Sequence, residues 1–165
     1  MDPFQEVVAL RPQPDRINPL WHFASIFTVA VALNYVWEIA QSPLYAGIHS
    51  WENIWKHCFV ASLGDGIILW IIHAVGRIAF GRWNWFIDPG FKGYGVMLGS
   101  GLIVALAIEW IAMHLLQRWE YSAGMPIIPG TNIGLVPILQ MLILPPAIFY
   151  IAGMWIKRRQ MQAHR

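Results

Sequence analysis

The sequence predicts an all-α integral membrane protein built as a polytopic four-helix bundle. Three observations predict it. Hydrophobic residues make up 57% of the chain and charged residues only 12%, about half the charged share of an ordinary soluble domain. The apolar residues gather into four runs, each near the roughly 20 residues that cross a bilayer as a helix. The stretches between them carry the Trp, Tyr, Pro and charged residues that collect at a membrane interface. A mean hydropathy of +0.48 agrees. The single cysteine, Cys58, excludes an intrachain disulfide. Phosphate-loop, dinucleotide and zinc-finger spacings are missing, so no cofactor is identified. No basic stripe suggests a nucleic-acid partner.

Residues 1–20 are polar, with Pro3, Pro12 and Pro14, and read as a cytoplasmic arm before a transmembrane domain over 21–157. The first helix is expected over 21–41, because Pro43 cannot continue it. Residues 44–56, with Tyr45, Trp51 and Trp55, read as an interfacial segment. The second helix is expected over 57–80, loosened at Gly64-Asp65-Gly66. The third, over 93–117, opens with Gly95 and Gly99, a small-residue spacing that permits close helix contact. Residues 118–133 are too irregular to meet lipid at depth and are expected to fold back over the bundle. The fourth helix, over 134–155, should bend at Pro145-Pro146, and residues 158–165 form a basic tail. Of the 11 Lys and Arg residues, only Lys56 and Arg118 fall on the side away from the chain ends. Cytoplasmic chains near membrane spans are enriched in such residues. Both termini are therefore expected in the cytoplasm of a multi-pass protein of the cell membrane, with 42–56 and 118–133 outside.

The chain is organised around Asn34 to Tyr45. Asn34, Glu38 and Gln41 share one face of the first helix at 100° per residue. An ionisable residue inside a membrane is costly and faces protein or water. At 1.5 Å per residue, Glu38, Asp65, Glu109 and Gln140 all lie about 9–12 Å below the outer helix ends. Glu38, Asp65 and Glu109 are the candidate catalytic residues. Asn34, Trp37, Gln41, Gln140 and Tyr121 are the candidate substrate contacts. Crowded, desolvated carboxyls resist simultaneous ionisation, so at least one is expected to hold a proton near neutrality. His114 points away from Glu109. His57 and Cys58 read as an interfacial imidazole and a packed thiol, and His73 and Arg77 as snorkelling side chains. No Glu-x-x-His pair marks a di-metal bundle, and no metal ligand is assigned.

Asn34-x-x-Trp37-Glu38 with Gln41-x-Pro43-Leu44-Tyr45, His57-Cys58 with Gly64-Asp65, and Trp119-x-Tyr121-Ser122 with Met125-Pro126 and Gly134-Leu135-x-Pro137-x-x-Gln140 form one pattern. It resembles small bacterial four-helix integral membrane proteins, which implies a place in the bacterial inner membrane and no particular chemistry. The N-x-x-W-E element alone is similar to one in membrane-bound terpene cyclases. That likeness implies that Glu38 protonates an isoprenoid.

Three functions fit these residues. One is acid–base chemistry on, or binding of, a lipid or isoprenoid in an outward-facing carboxylate pocket, with membrane lipids and a lipophilic small molecule as partners. The second is a proton- or cation-coupled carrier, which with so few helices implies an oligomer. The third is a non-catalytic accessory subunit of a larger membrane complex.

Overall fold

The computed structural model describes residues 19–47 and 50–163. Residues 1–18 of the expected arm lie outside the described residues. Four helices are long and apolar enough to cross a membrane: α1 (Pro19–Gln41), α2 (Trp51–Phe80), α3 (Gly90–Trp110) and α4 (Leu135–Ala163). No strand occurs among the described residues. Much of the outer surface is apolar, from Ile78 and Phe91 to Leu115 and Ile143, as a lipid-facing surface requires.

Local chemistry sets the helix ends. Pro43 sits in a tight turn, Ser42–Leu44, that closes α1. Gly81 ends α2 at φ 67°, a conformation that costs glycine little, and its N–H donates to Arg77 O at 2.8 Å. A wide π turn, Ile111–Leu115, ends α3, with the Leu116 N–H reaching back to Ile111 O at 3.0 Å.

Several expectations need correction. α2 begins at Trp51, not near His57, so half of the supposed interfacial segment is helix. It also runs unbroken through Gly64-Asp65-Gly66. Only Gly66 serves packing there: a Cβ on it would come 2.8 Å from the Phe27 ring of α1, whereas one on Gly64 would meet nothing within 4 Å. α4 runs past residue 155 to Ala163 and takes in Arg158 and Arg159 of the supposed tail. Gly95 and Gly99 pack against nothing; the close helix contact is at Gly101, where a Cβ would stand 2.4 Å from Met141 O. The G-x-x-x-G spacing identified a small-residue helix, but not the face that meets its neighbour.

A prediction follows from that contact. Gly101→Ala forces α3 off the α4 backbone and destabilises the bundle by about 1–3 kcal/mol. Gly95→Ala and Gly99→Ala are neutral or stabilise it by up to about 1 kcal/mol through helix propensity. Unfolding in mixed micelles measures all three. Equal effects at the three positions would contradict the placement of the α3–α4 contact.

The half of the bundle nearest the chain ends is solidly packed. The loop after α2 tucks Trp85 and Phe86 inward, both buried, and Trp85 Nε1 donates to His73 O at 3.0 Å. The indole lies on Gly76, where a Cβ would come within 2.1 Å of it. Ile26, Leu69, Ile72, Ile148 and Phe149 fill the rest. His73 does not snorkel. It is buried, with Nε2 3.0 Å from Trp83 O and its ring among Trp70, Phe86 and Phe149. Arg77 stacks 3.6 Å over Trp83, and Arg159 stacks 3.8 Å over Trp21.

The opposite end is roofed by the loop between α3 and α4, which does fold back over the bundle. Ala46 N–H donates to Glu120 O at 2.8 Å, Ser122 N–H to Leu44 O at 2.9 Å and Leu135 N–H to Pro126 O at 2.7 Å. Met125 and Ile133 are buried beneath it. These bonds satisfy backbone groups that an irregular chain near a membrane would otherwise leave unpaired.

Candidate functional site

Beneath this roof lies a cavity of about 620 Å³. Glu38, Asp65, Glu109 and Gln140, one from each helix, are on its wall, and so is Gln41. The shared depth reflects a constant helical rise, and the shared direction reflects helices that each turn their polar face inward.

Gln140 is the centre of the polar wall. Its Nε2 lies 2.9 Å from Asn34 Oδ1, 3.1 Å from Glu38 Oε1 and 3.0 Å from Asp65 Oδ2. Its Oε1 accepts from Gln41 Nε2 at 3.1 Å, and the same nitrogen donates to Glu38 Oε1 at 2.8 Å. Trp37 Nε1 in turn donates to Gln41 Oε1 at 3.1 Å. Asn34 spends its own amide on Ala30 O at 2.9 Å, so its Oδ1 faces Gln140 and holds the Gln140 nitrogen inward as a donor.

A count of hydrogens is then informative. The Gln140 nitrogen carries two. With one on Asn34, one remains for both Glu38 and Asp65. The second oxygens of Glu38 and Asp65 take no hydrogen bond from any described residue, which leaves them for a ligand. Among the described residues no cation lies within salt-bridge distance of Glu38, Asp65 or Glu109. The pair therefore offers polarity and a place for a proton without a neutralising partner.

Glu109 stands apart from this node. Its carboxylate accepts from the Tyr121 hydroxyl of the roof. Burial first, and the Glu109 carboxylate second, push the Tyr121 phenol above its usual pKa and keep it a donor. Tyr45, also on the cavity wall, is raised in the same way by burial and then by Glu109 and Glu38. No described residue hydrogen-bonds to its hydroxyl.

The structure puts some of the expected site residues on the wall and others off it. Glu38, Asp65, Glu109, Gln41 and Gln140 line the cavity. Asn34, Trp37 and Tyr121, expected to touch substrate, do not line it: they hydrogen-bond to Gln140, Gln41 and Glu109. Conversely His57 and Cys58, read as interfacial and packing groups, line the cavity, as do Tyr45, Arg118 and Trp119. A helix face drawn from Asp65 back through Ser62 to Cys58 identifies the thiol, since a buried face running toward an acid is where a cavity wall is expected. No such signal existed for Arg118 and Trp119, which come into place only through the π turn and the roof.

Tyr121→Phe should remove the anchor of both Glu109 and the roof. We expect a loss of about 1–2 kcal/mol and faster amide exchange over residues 120–126. Unchanged exchange there would mean the roof is held without Tyr121.

No protein-family model, curated protein or solved structure matches the chain. Among the described residues no group of three His, Cys, Asp or Glu is placed to hold a metal ion.

Proposed function

We propose that the protein is an intramembrane acid–base enzyme acting on a lipophilic molecule, a lipid or isoprenoid, held in the cavity. The observation that carries this reading is the carboxyl pair Glu38 and Asp65 tied to one Gln140 nitrogen, one hydrogen short, on the wall of a largely apolar cavity. In this reading the pair holds a proton, gives it to a carbon–carbon double bond, and takes a proton back from the resulting cation as the product forms. Glu109 and Tyr45 stabilise the charge that develops. The closed packing of the other half, around Trp85 and Phe149, weighs against a carrier, which needs a path to both sides.

The excess of basic residues near the chain ends supports a cytoplasmic position for both termini in a bacterial inner membrane, with the cavity in the outer half. On that topology, in a Cys58→Ser background, Ala123→Cys reacts with an impermeant thiol reagent from outside and Asn84→Cys only after permeabilisation. The reverse pattern would invert the topology.

The chemistry is tested by incubating the protein in nanodiscs with a membrane lipid extract in deuterium oxide. Acid–base catalysis places non-exchangeable deuterium on carbon in one lipid species, read by mass spectrometry. No deuterated product from the unmodified protein would overturn the enzymatic reading.

A further inference from the structure

We propose that the cavity opens sideways into the bilayer between α2 and α3 and takes single-chain amphiphiles whose head is a hydrogen-bond donor without negative charge, a hydroxyl or an amine. The inference rests on reading the cavity as a ligand site, and it names what enters and by which route.

The route follows from which seams are closed. α1 and α4 are tied by Asn34, Gln41 and Gln140. α1 and α2 meet where Gly66 accepts the Phe27 ring, and α3 and α4 where Gly101 meets the Met141 backbone. α2 and α3 pack more sparsely. Along that seam Val60, Ile67, Ile108 and Ile111 line the cavity while standing on the outer surface, 67%, 60%, 37% and 41% exposed. A side chain that belongs to both surfaces marks the edge of an opening. Between these edges the wall includes small residues, Ala61 and Gly64 on α2 with Ala105 on α3 and Ala112 in the π turn. A Cβ on Gly64 would meet nothing within 4 Å. Such a wall of small residues suits a hydrocarbon chain, and its apolar edges keep that chain in contact with lipid.

The head follows from charge. A molecule whose tail lies in this seam brings its head against Glu38 and Asp65, with Glu109 on the same wall. The basic groups that line the cavity, His57 and Arg118, are exposed, and neither lies within salt-bridge distance of the three carboxyls. A phosphate or carboxylate head would face three acids with no cation among them. A hydroxyl or ammonium head instead donates to the open oxygens of Glu38 and Asp65.

The test uses the full chain in phosphatidylcholine nanodiscs and three photoreactive probes that share one hexadecyl diazirine tail: an alcohol, an amine and a phosphate monoester. Peptide mapping should find the alcohol or the amine on 60–67 and 108–112 at about tenfold the level of the phosphate. The ratio of those two probes separates a neutral from a cationic head. Gly64→Leu, and independently Ala61→Leu, should lower the labelling by about tenfold, with folding checked by thermal melting. Equal labelling by the phosphate probe overturns the head assignment. Undiminished labelling in both variants overturns the lateral opening while the ligand site stands. If no probe labels these segments above the exposed Leu102 and Ile103 of α3, the cavity is not a ligand site, and this inference fails with that reading.

Discussion

Gln140→Leu lowers the stability of the bundle by about 2–4 kcal/mol, the largest effect expected of a single change in the polar wall. Leu fits the volume but donates and accepts nothing. It leaves Asn34 Oδ1, Glu38 Oε1, Asp65 Oδ2 and one Gln41 hydrogen without their shared partner. Side-chain hydrogen bonds in membrane proteins average only about 0.6 kcal/mol, because the unfolded helices find other partners in the bilayer. Here, however, one side chain serves four neighbours, and the groups left behind are buried. Leaving a buried acceptor unmet costs more than removing both partners. The double variant Gln140→Leu with Asn34→Leu should therefore recover part of the loss. Unfolding of both proteins in mixed micelles decides the matter: a double variant that loses the sum of two single penalties would show that Asn34 and Gln140 do not act through each other.

That node was half legible before any coordinates. Asn34, Glu38 and Gln41 announce themselves because a helix repeats every 3.6 residues and membrane interiors hold few polar groups. Depth was legible for the same reason: the rise per residue is constant, so Glu38, Asp65, Glu109 and Gln140 could be placed in one layer by counting. What counting does not supply is the angle at which each helix meets its neighbours. Asn34 and Trp37 lie about 40° and 100° round the helix from Glu38, on the same side, and counting alone does not say that both stand behind the cavity wall. The glycines mislead in the same way. Gly95, Gly99 and Gly101 are alike in sequence, but only Gly101 faces α4.

The loops were the least legible part. Trp85 and Phe86 look like interfacial aromatics, and nothing local says that one glycine, Gly76, leaves the slot that admits the indole. The link between Tyr121 and Glu109 crosses from roof to helix, and it depends on the π turn that displaces the end of α3 from a regular helical path. Such wide turns have no dependable sequence signature.

Glu38→Gln and Asp65→Asn carry the largest expected effect on function. Each removes a titratable group while keeping shape and an acceptor: the new amide oxygen still receives the hydrogen bonds of Gln140 and, at position 38, of Gln41. Thermal stability should therefore stay within about 1 kcal/mol of the parent. Deuterium transfer to lipid should fall by about 100- to 10,000-fold, the range that general acid–base groups supply. The two variants should not be additive. If one proton is shared between Glu38 and Asp65, either substitution removes the working acid, and the double variant loses little more. Independent, multiplicative losses would mean that the carboxyls act in separate steps. Tyr121→Phe supplies the contrast, since it frees Glu109 without touching the Gln140 node. A loss there as deep as that of Glu38→Gln would move the working acid to Glu109 and leave Glu38 and Asp65 as hydrogen-bonding groups that only hold the helices together.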